Sequence, residues 1–215
     1  MRGVFSFVSM TSASAEKRAL RERLIAVRAG LPPMIRESAS RAIAARVADL
    51  PAWRHARTVA LHAPLGAEVD TAELARLAEG AGKRIAWPRI ASPGPALEFA
   101  CCASGALIPG PARALEPPPS APSIPLDAID LFVVPGVAFD ARGGRLGRGR
   151  GHYDATLGLI RPGAGRVGLA FDEQVVDHVP TEPHDVPLDA VVTGSRVLPH
   201  AADPATDRVD TVPDA

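Results

Sequence analysis

Arginine and glycine alternate through Arg145-Leu146-Gly147-Arg148-Gly149-Arg150-Gly151, which runs straight into His152-Tyr153-Asp154. The forks of Arg145, Arg148 and Arg150 match the spacing of phosphate oxygens. Glycines at 147, 149 and 151 free the backbone to turn several N–H groups toward one anion. Tyr153 to about Ile160 is expected to be helical, so the loop should end at a helix N-terminus, whose dipole favours negative charge. The order is not the Walker pattern, which needs Gly-Lys-Ser/Thr, nor the dinucleotide fingerprint. From these residues alone, phosphate binding and an RGG-like RNA contact both stay open.

Three further segments carry candidate groups. Pro180-Thr181-Glu182-Pro183-His184-Asp185-Val186-Pro187-Leu188-Asp189 is an irregular loop. Its carboxylates suit Mg²⁺, which takes one or two of them together with phosphate oxygens and water. Turn formation is the plainer role for Asp185 and Asp189, and a loop hydrogen bond the plainer role for His184. Lys17 and Arg21 stand four apart on a helix, which by itself describes a solvated stripe. In Ala63-Pro64-Leu65-Gly66-Ala67-Glu68-Val69-Asp70, Glu68 can accept hydrogen bonds from an amino-heterocycle, while Asp70 fits a helix cap. No Ser-His-Asp or Cys-His pattern is present, and His55, His62, His178 and His200 have no neighbours that suggest a role. Cys101 and Cys102 are adjacent, which suits neither a disulfide framework nor a zinc site and fits a reducing cytoplasm.

The elements that must position these groups read as α/β. Ser14 to Ala29 has Leu20, Leu24 and Val27 at helical spacing, with Lys17, Arg18, Arg21, Arg23 and Arg28 on the other faces. Pro32 and Pro33 stop it. A second helix is expected over Met34 to Leu50, with Ile35, Ala42, Ile43, Val47 and Leu50 inward. Thr58–His62 and Arg84–Trp87 read as buried strands around a helix that starts with the cap-and-glutamate spacing of Asp70 and Glu73 and ends by Gly80. That βαβ unit makes the sheet at least partly parallel. Further strands are expected at Leu97–Ala100, Leu131–Val134, Val167–Ala170 and Ala190–Thr193, and Pro109–Pro125 as a surface loop. The glycine loop then leaves the carboxyl end of a strand, where open α/β sheets bind ligands.

The chain of 215 residues is 47% hydrophobic, which excludes global disorder, and its 24 basic and 24 acidic residues cancel. A dedicated nucleic-acid binder would need a basic surplus. No run approaches the roughly 20 apolar residues of a membrane span. One three-layer α/β/α domain with a largely parallel or mixed sheet is expected over residues 14–198. Residues 1–13 are expected to be a disordered N-terminal extension and 199–215 a disordered tail.

Together the four segments resemble the 5-formyltetrahydrofolate cyclo-ligase family, also called methenyltetrahydrofolate synthetases. The resemblance rests on Lys17-Arg18-Ala19-Leu20-Arg21, on Glu68-Val69-Asp70-Thr71, on the run from Pro135-Gly136-Val137-Ala138-Phe139-Asp140 to Asp154, and on His184-Asp185 with Leu188-Asp189. It covers about Glu16 to Thr193. It implies an enzyme that uses ATP and Mg²⁺ to turn 5-formyltetrahydrofolate into 5,10-methenyltetrahydrofolate, releasing ADP and phosphate. By the same resemblance Lys17, Arg18 and Arg21 reach ATP, and the loop Arg145, Gly147, Arg148, Gly149, Arg150, Gly151, His152 and Tyr153 wraps its triphosphate. Asp154 and Asp185 correspond to the Mg²⁺-linked acids. Glu68 is the pterin-side contact, and Arg148, Gly149, Gly151 and Tyr153 lie against the formyl group, with Arg148 and Tyr153 the catalytic candidates. The partners implied are the reduced folate and ATP, with no nucleic acid and no membrane, and a cytoplasmic monomer is favoured. The family often has Tyr-Tyr-Asp where this chain has His152-Tyr153-Asp154. An aromatic often found ahead of the Pro-rich turn is not evident in Gly110–Pro117, so no folate-stacking residue is named. The rival readings are a non-catalytic folate-binding relative and a sugar-phosphate or CoA enzyme on a similar scaffold.

Overall fold

The computed structural model describes the backbone of residues 4–13 and residues 14–90, 94–111, 113–182 and 185–199. His184 and the tail from residue 200 lie outside them. The helices are α1 (Val4–Gly30), α2 (Pro33–Asp49), α3 (Pro51–His55), α4 (Ala72–Gly80) and α5 (His152–Leu157). The strands are β1 (Thr58–Ala60), β2 (Arg84–Ile90), β3 (Leu97–Ala100), β4 (Ile108–Pro109), β5 (Leu115–Glu116), β6 (Ser123–Ile124), β7 (Leu131–Val134), β8 (Ala138–Phe139), β9 (Arg145–Leu146), β10 (Gly165–Leu169), β11 (Ala190–Val192) and β12 (Val197–Pro199).

Eight strands make the main sheet in the order β12-β11-β10-β7-β1-β2-β3-β6. From β11 to β2 every pairing is parallel, while β12 and β3 run antiparallel to their neighbours. Alternation along β7 shows why the sheet is buried on both faces. Leu131 and Val133 join Ile43, Val47 and Leu74 of α2 and α4, whereas Phe132 and Val134 join Leu157 of α5 and Leu188. The second layer is thinner: α5 has six residues and ends at Leu157, short of the expected Ile160. The chain moves from β1 to β2 on one side and continues from β7 to β10 on the other, so β1 and β7 flank a topological switch point.

Several expectations change. Helix α1 starts at Val4, because nothing from Val4 to Ala29 is Pro or Gly. Its inward row is not the Leu20, Leu24, Val27 stripe: Val27 is 39% exposed, while Arg28 is buried beside Leu24. Ile35 is exposed, since the first turn of α2 precedes the point where Ile43, Ala44 and Val47 reach the core. No capping box forms at α4. Asp70 bonds the Ala72 N–H at 2.9 Å, and Glu73 pairs with Arg76 instead. Pro109–Pro125 is not one loop. It contributes the β4–β5 hairpin and β6, whose Ile124 pairs Phe99 at the sheet edge, a place where neighbouring prolines forfeit few ladder bonds. Strand β2 continues past Trp87 through Pro88 to Ile90 because β3 pairs it there, Pro88 opposite Phe99 and Ile90 opposite Leu97, after its β1 partners stop at Ala60. That stretch, paired on one side, becomes a wall of the site.

Candidate active site

Above the switch point lies a cleft of about 800 Å³, lined from the loops after β1 and β7, the end of β2, the inner face of α1, and Glu182 with Asp185. Helix α1 supplies the first charges. Lys17, Arg21, Leu24 and Arg28 recur every three or four residues and therefore share a face. Arg28 is buried; its Nη1 donates to the Gly136 carbonyl at 3.0 Å and its Nη2 lies 3.7 Å from Glu68 Oε1. Burial lowers its pKa, and the Glu68 carboxylate opposes that. Gln174, also buried, donates to the carbonyls of Gly136 and Val137 at 3.2 and 2.9 Å. The turn that leaves β7 is thus pinned from two elements. Asp140 closes the next turn by accepting the N–H groups of Arg142, Gly144 and Val179.

The glycine loop follows. Arg21 Nε donates to the Gly147 carbonyl at 2.9 Å, and an added carbon on Gly149 would sit 3.4 Å from the Arg21 guanidinium. Gly149 and Gly151 have φ of +90° and +70°, left-handed values that a side chain would strain. Arg148, 40% exposed, reaches back across the cleft: its Nε donates to Glu68 Oε1 at 2.9 Å and its Nη2 to the Leu65 carbonyl at 3.0 Å. Arg150 lines the cleft and is exposed. Arg145 behaves differently. Its side chain is buried, ion-paired to Asp154 and 5.7 Å over the Tyr153 ring, while its Nε has no partner among the described residues. Burial pushes the Tyr153 hydroxyl pKa up, Glu68 adds to this and Arg145 opposes it, so the phenol stays a neutral donor. His152 Nδ1 lies 2.6 Å from the Pro95 carbonyl and so carries the ring proton.

At the other end Lys17 Nζ donates to Asp185 Oδ2 at 2.8 Å and Glu182 Oε2 at 2.7 Å. Burial works against the ammonium, but the two carboxylates outweigh it and hold its pKa above the usual value. The cleft therefore gathers Lys17, Arg21, Glu68, Arg145, Gly147 to Asp154, and Asp185 from segments far apart in the chain. Arg18 is not among them: one residue along the helix from Lys17, it points about 100° away and is exposed. Asp189 is not either. It binds Arg166 at the opposite edge of the sheet. Asp154 and Asp185 fit a Mg²⁺–nucleotide, which needs one or two carboxylates rather than a protein cage. No group of three or more His, Cys, Asp or Glu suited to a metal occurs among the described residues.

Several wall residues carried no sequence signal for the site. Arg28 was grouped with the solvated basic residues, although its spacing from Leu24 places it on the inner row. His62 is buried beneath the cleft, with its Nδ1 3.4 Å from the Val133 carbonyl; burial lowers its pKa, so the ring is neutral. Glu116 enters from the β4–β5 hairpin.

A cleft at the switch point of a mostly parallel sheet, with a glycine loop, six cations and five carboxylates along its walls, marks an α/β protein whose cleft suits a phosphate-bearing ligand. Residues 13–194 match the model of the 5-formyltetrahydrofolate cyclo-ligase family. The 5-formyltetrahydrofolate cyclo-ligase of Mycolicibacterium smegmatis is 32% identical over 188 residues, 84% of this chain and 94% of that protein. The enzyme of the same name from Escherichia coli K12 is 34% identical over 178 residues, 79% of this chain and 96% of that one. The NMR structure of Aquifex aeolicus 5,10-methenyltetrahydrofolate synthetase superposes with a TM-score of 0.77 at 28% identity, covering 91% of this chain and 98% of that one. The chain belongs to the 5-formyltetrahydrofolate cyclo-ligase family. The resemblance drawn from the four segments is borne out in fold, family and enzyme class, a ligase of folate one-carbon metabolism. No helix among the described residues is long and apolar enough to cross a membrane.

Proposed function

We propose that the cleft binds ATP and 5-formyltetrahydrofolate side by side and closes the folate ring to 5,10-methenyltetrahydrofolate, with release of ADP and phosphate. The observation that carries this is the convergence of the glycine loop, the α1 cations, Glu182 and Asp185 on one space. A formamide carbonyl is a poor electrophile, and its oxygen leaves badly. Transfer of the γ-phosphoryl group to that oxygen answers both problems: N10 then attacks the activated carbon, loses its proton, and phosphate departs. Such a reaction asks for positioning and charge stabilisation rather than a protein nucleophile.

Lys17, Arg21 and Arg150, with the backbone of Gly147 to His152, hold the triphosphate. Asp154 and Asp185 would hold Mg²⁺, which neutralises phosphate oxygens when bound. Arg145 acts from inside, fixing Asp154 and the Tyr153 ring. Glu68 lies on the folate side and holds Arg148 between the two ligands, so Arg148 is the cation nearest the charge that develops during transfer. Tyr153, kept neutral, can donate to the formyl group or to the oxygen it becomes.

The test is direct. Purified protein with 5-formyltetrahydrofolate, ATP and Mg²⁺ is expected to generate the methenyl chromophore, which absorbs at longer wavelength than the substrate, with one ADP per turnover. Absence of that product across pH and divalent cations would refute the activity.

A further inference from the structure

Arg28, in the last turn of α1, is a buried cation that the chemistry proposed above does not use. Its side chain is 3% exposed, and it is not among the described residues that line the cleft, so it stands behind that surface rather than on it. Its two arms end on different elements. Nη1 donates to the Gly136 carbonyl at 3.0 Å in the loop after β7, and Nη2 lies 3.7 Å from Glu68 Oε1 in the loop after β1. The first arm is duplicated, because Gln174 donates to the same carbonyl at 3.2 Å. The second is too long for a hydrogen bond and acts through charge.

The carboxylate that Arg28 acts on is shared. Glu68 Oε1 also accepts Arg148 Nε at 2.9 Å, while Oε2 accepts the Leu65 N–H at 2.9 Å. Two guanidinium groups thus face one carboxylate oxygen, Arg28 from the interior and Arg148 from the cleft. Burial leaves the Arg28 charge little screened by solvent. In a one-to-one pair Glu68 would cancel the charge of Arg148. With Arg28 behind it, part of the carboxylate's field is already taken up, and Arg148 keeps a positive field toward the cleft. We propose that Arg28 is a positioning residue for the phosphoryl transfer: from behind the cleft it weakens the hold of Glu68 on Arg148, and so keeps that guanidinium free to meet the charge that develops between the two ligands. The proposal rests on the reading of the cleft given above. Burial lowers the Arg28 pKa, Glu68 opposes this and Arg148 lowers it further, so the two guanidinium groups lie within electrostatic reach of each other.

Two substitutions in the full chain separate charge from shape. Arg28→Gln keeps an N–H for the Gly136 carbonyl and loses the charge, whereas Arg28→Lys keeps the charge and loses the fork. The first readout needs no turnover: the rate at which phenylglyoxal, an arginine reagent, modifies Arg148, followed by peptide mass spectrometry. Arg28→Gln is expected to slow that modification about threefold or more, because Glu68 closes on Arg148, and Arg28→Lys to restore it. The second readout is steady-state kinetics. Arg28→Gln is expected to lower kcat about tenfold with little change in either KM, and Arg28→Lys to recover most of the loss. A merely structural Arg28 predicts the opposite sign. Loosening of the Gly136 turn would speed modification of Arg148 and raise both KM values, and either result overturns the proposal. Should Arg28→Gln not fold, Arg28→Lys decides: wild-type modification rate and kcat support the charge, and a change in either overturns it. Absence of turnover in the wild type would refute the activity and leave the modification rates to judge Arg28. Normal turnover with an unchanged modification rate in Arg28→Gln would refute the role of Arg28 and leave the activity standing.

Discussion

The two edges of the parallel sheet carry similar charges in opposite states. At the amino ends of the strands the carboxylates are filled. Asp130 accepts the N–H groups of Arg57 and Thr58 at 2.8 and 2.9 Å and Arg161 Nη2 at 2.7 Å, and Asp189 accepts Arg166 through both its backbone N–H and its guanidinium. These bonds tie β1 to β7 and β10 to β11 where each strand begins. At the carboxyl ends the pairs are incomplete. Among the described residues Arg145 Nε lacks an acceptor, and Arg148 is 40% exposed. One fold thus spends its polar groups on stability at one edge and keeps them for a ligand at the other. Substitutions at the two edges should separate cleanly into stability and rate.

The largest effect is expected from Arg148→Ala. Loss of a cation that acts on developing charge lowers kcat by about 10²–10³-fold, while a half-exposed side chain on a loop leaves the thermal midpoint where it was. Steady-state kinetics beside a melting curve checks both. Near-normal kcat would remove Arg148 from the chemistry and break the contrast between the edges.

Asp130→Ala should do the reverse. It is expected to cost about 2 kcal/mol in urea unfolding and to leave kcat and both KM values unchanged. The pH dependence sharpens this. Burial pushes the Asp130 pKa up, but the Thr58 and Arg57 N–H groups and Arg161 outweigh it and hold the carboxyl below its usual 3.8. A depressed folded-state value means that the stabilisation is complete above the unfolded value and is lost as pH falls through the lowered one. The stability gap between wild type and Asp130→Ala should therefore be constant from pH 7 to about 5 and shrink below pH 4. A gap that changes near neutrality would assign the effect to another group.

Legibility in the sequence followed the same division. Strands β1, β7 and β10 and the glycine loop were plain because their signals are local: short β-branched runs, and glycines where left-handed φ is needed. Lys17, Glu68 and Asp185 were found through their resemblance to a known order of segments, since nothing near any one of them marks a site. Arg28 was hidden because a basic residue on a surface helix is ordinarily solvated; only the packing of α1 on the Gly136 turn gives its guanidinium a carbonyl and a carboxylate. Strand β6 was hidden because its partner, β3, lies some 25 residues back across a Pro-rich stretch, and no local period announces such pairing. Glu116 was lost with it.

The smallest and most discriminating effect is expected at Lys17. Its ammonium sits between Asp185 and Glu182 with a side chain 13% exposed, so two roles compete. If it fastens α1 to the 182–185 segment, Lys17→Met should lower the melting temperature and raise the KM of both substrates, because the whole cleft loosens. If it is held by the acids only until a triphosphate arrives, Lys17→Met should raise the KM for ATP about tenfold, leave that for the folate unchanged, and barely move the melting temperature. The second pattern is the one expected, since the ammonium borders the cleft and phosphate oxygens can replace the carboxylates as its partners. Lys17→Arg should recover part of the ATP affinity by restoring the charge, though a planar fork replaces a compact ammonium. Equal rises in both KM values would move Lys17 from the ligand-seeking edge to the structural one and narrow the contrast to Arg145 and Arg148.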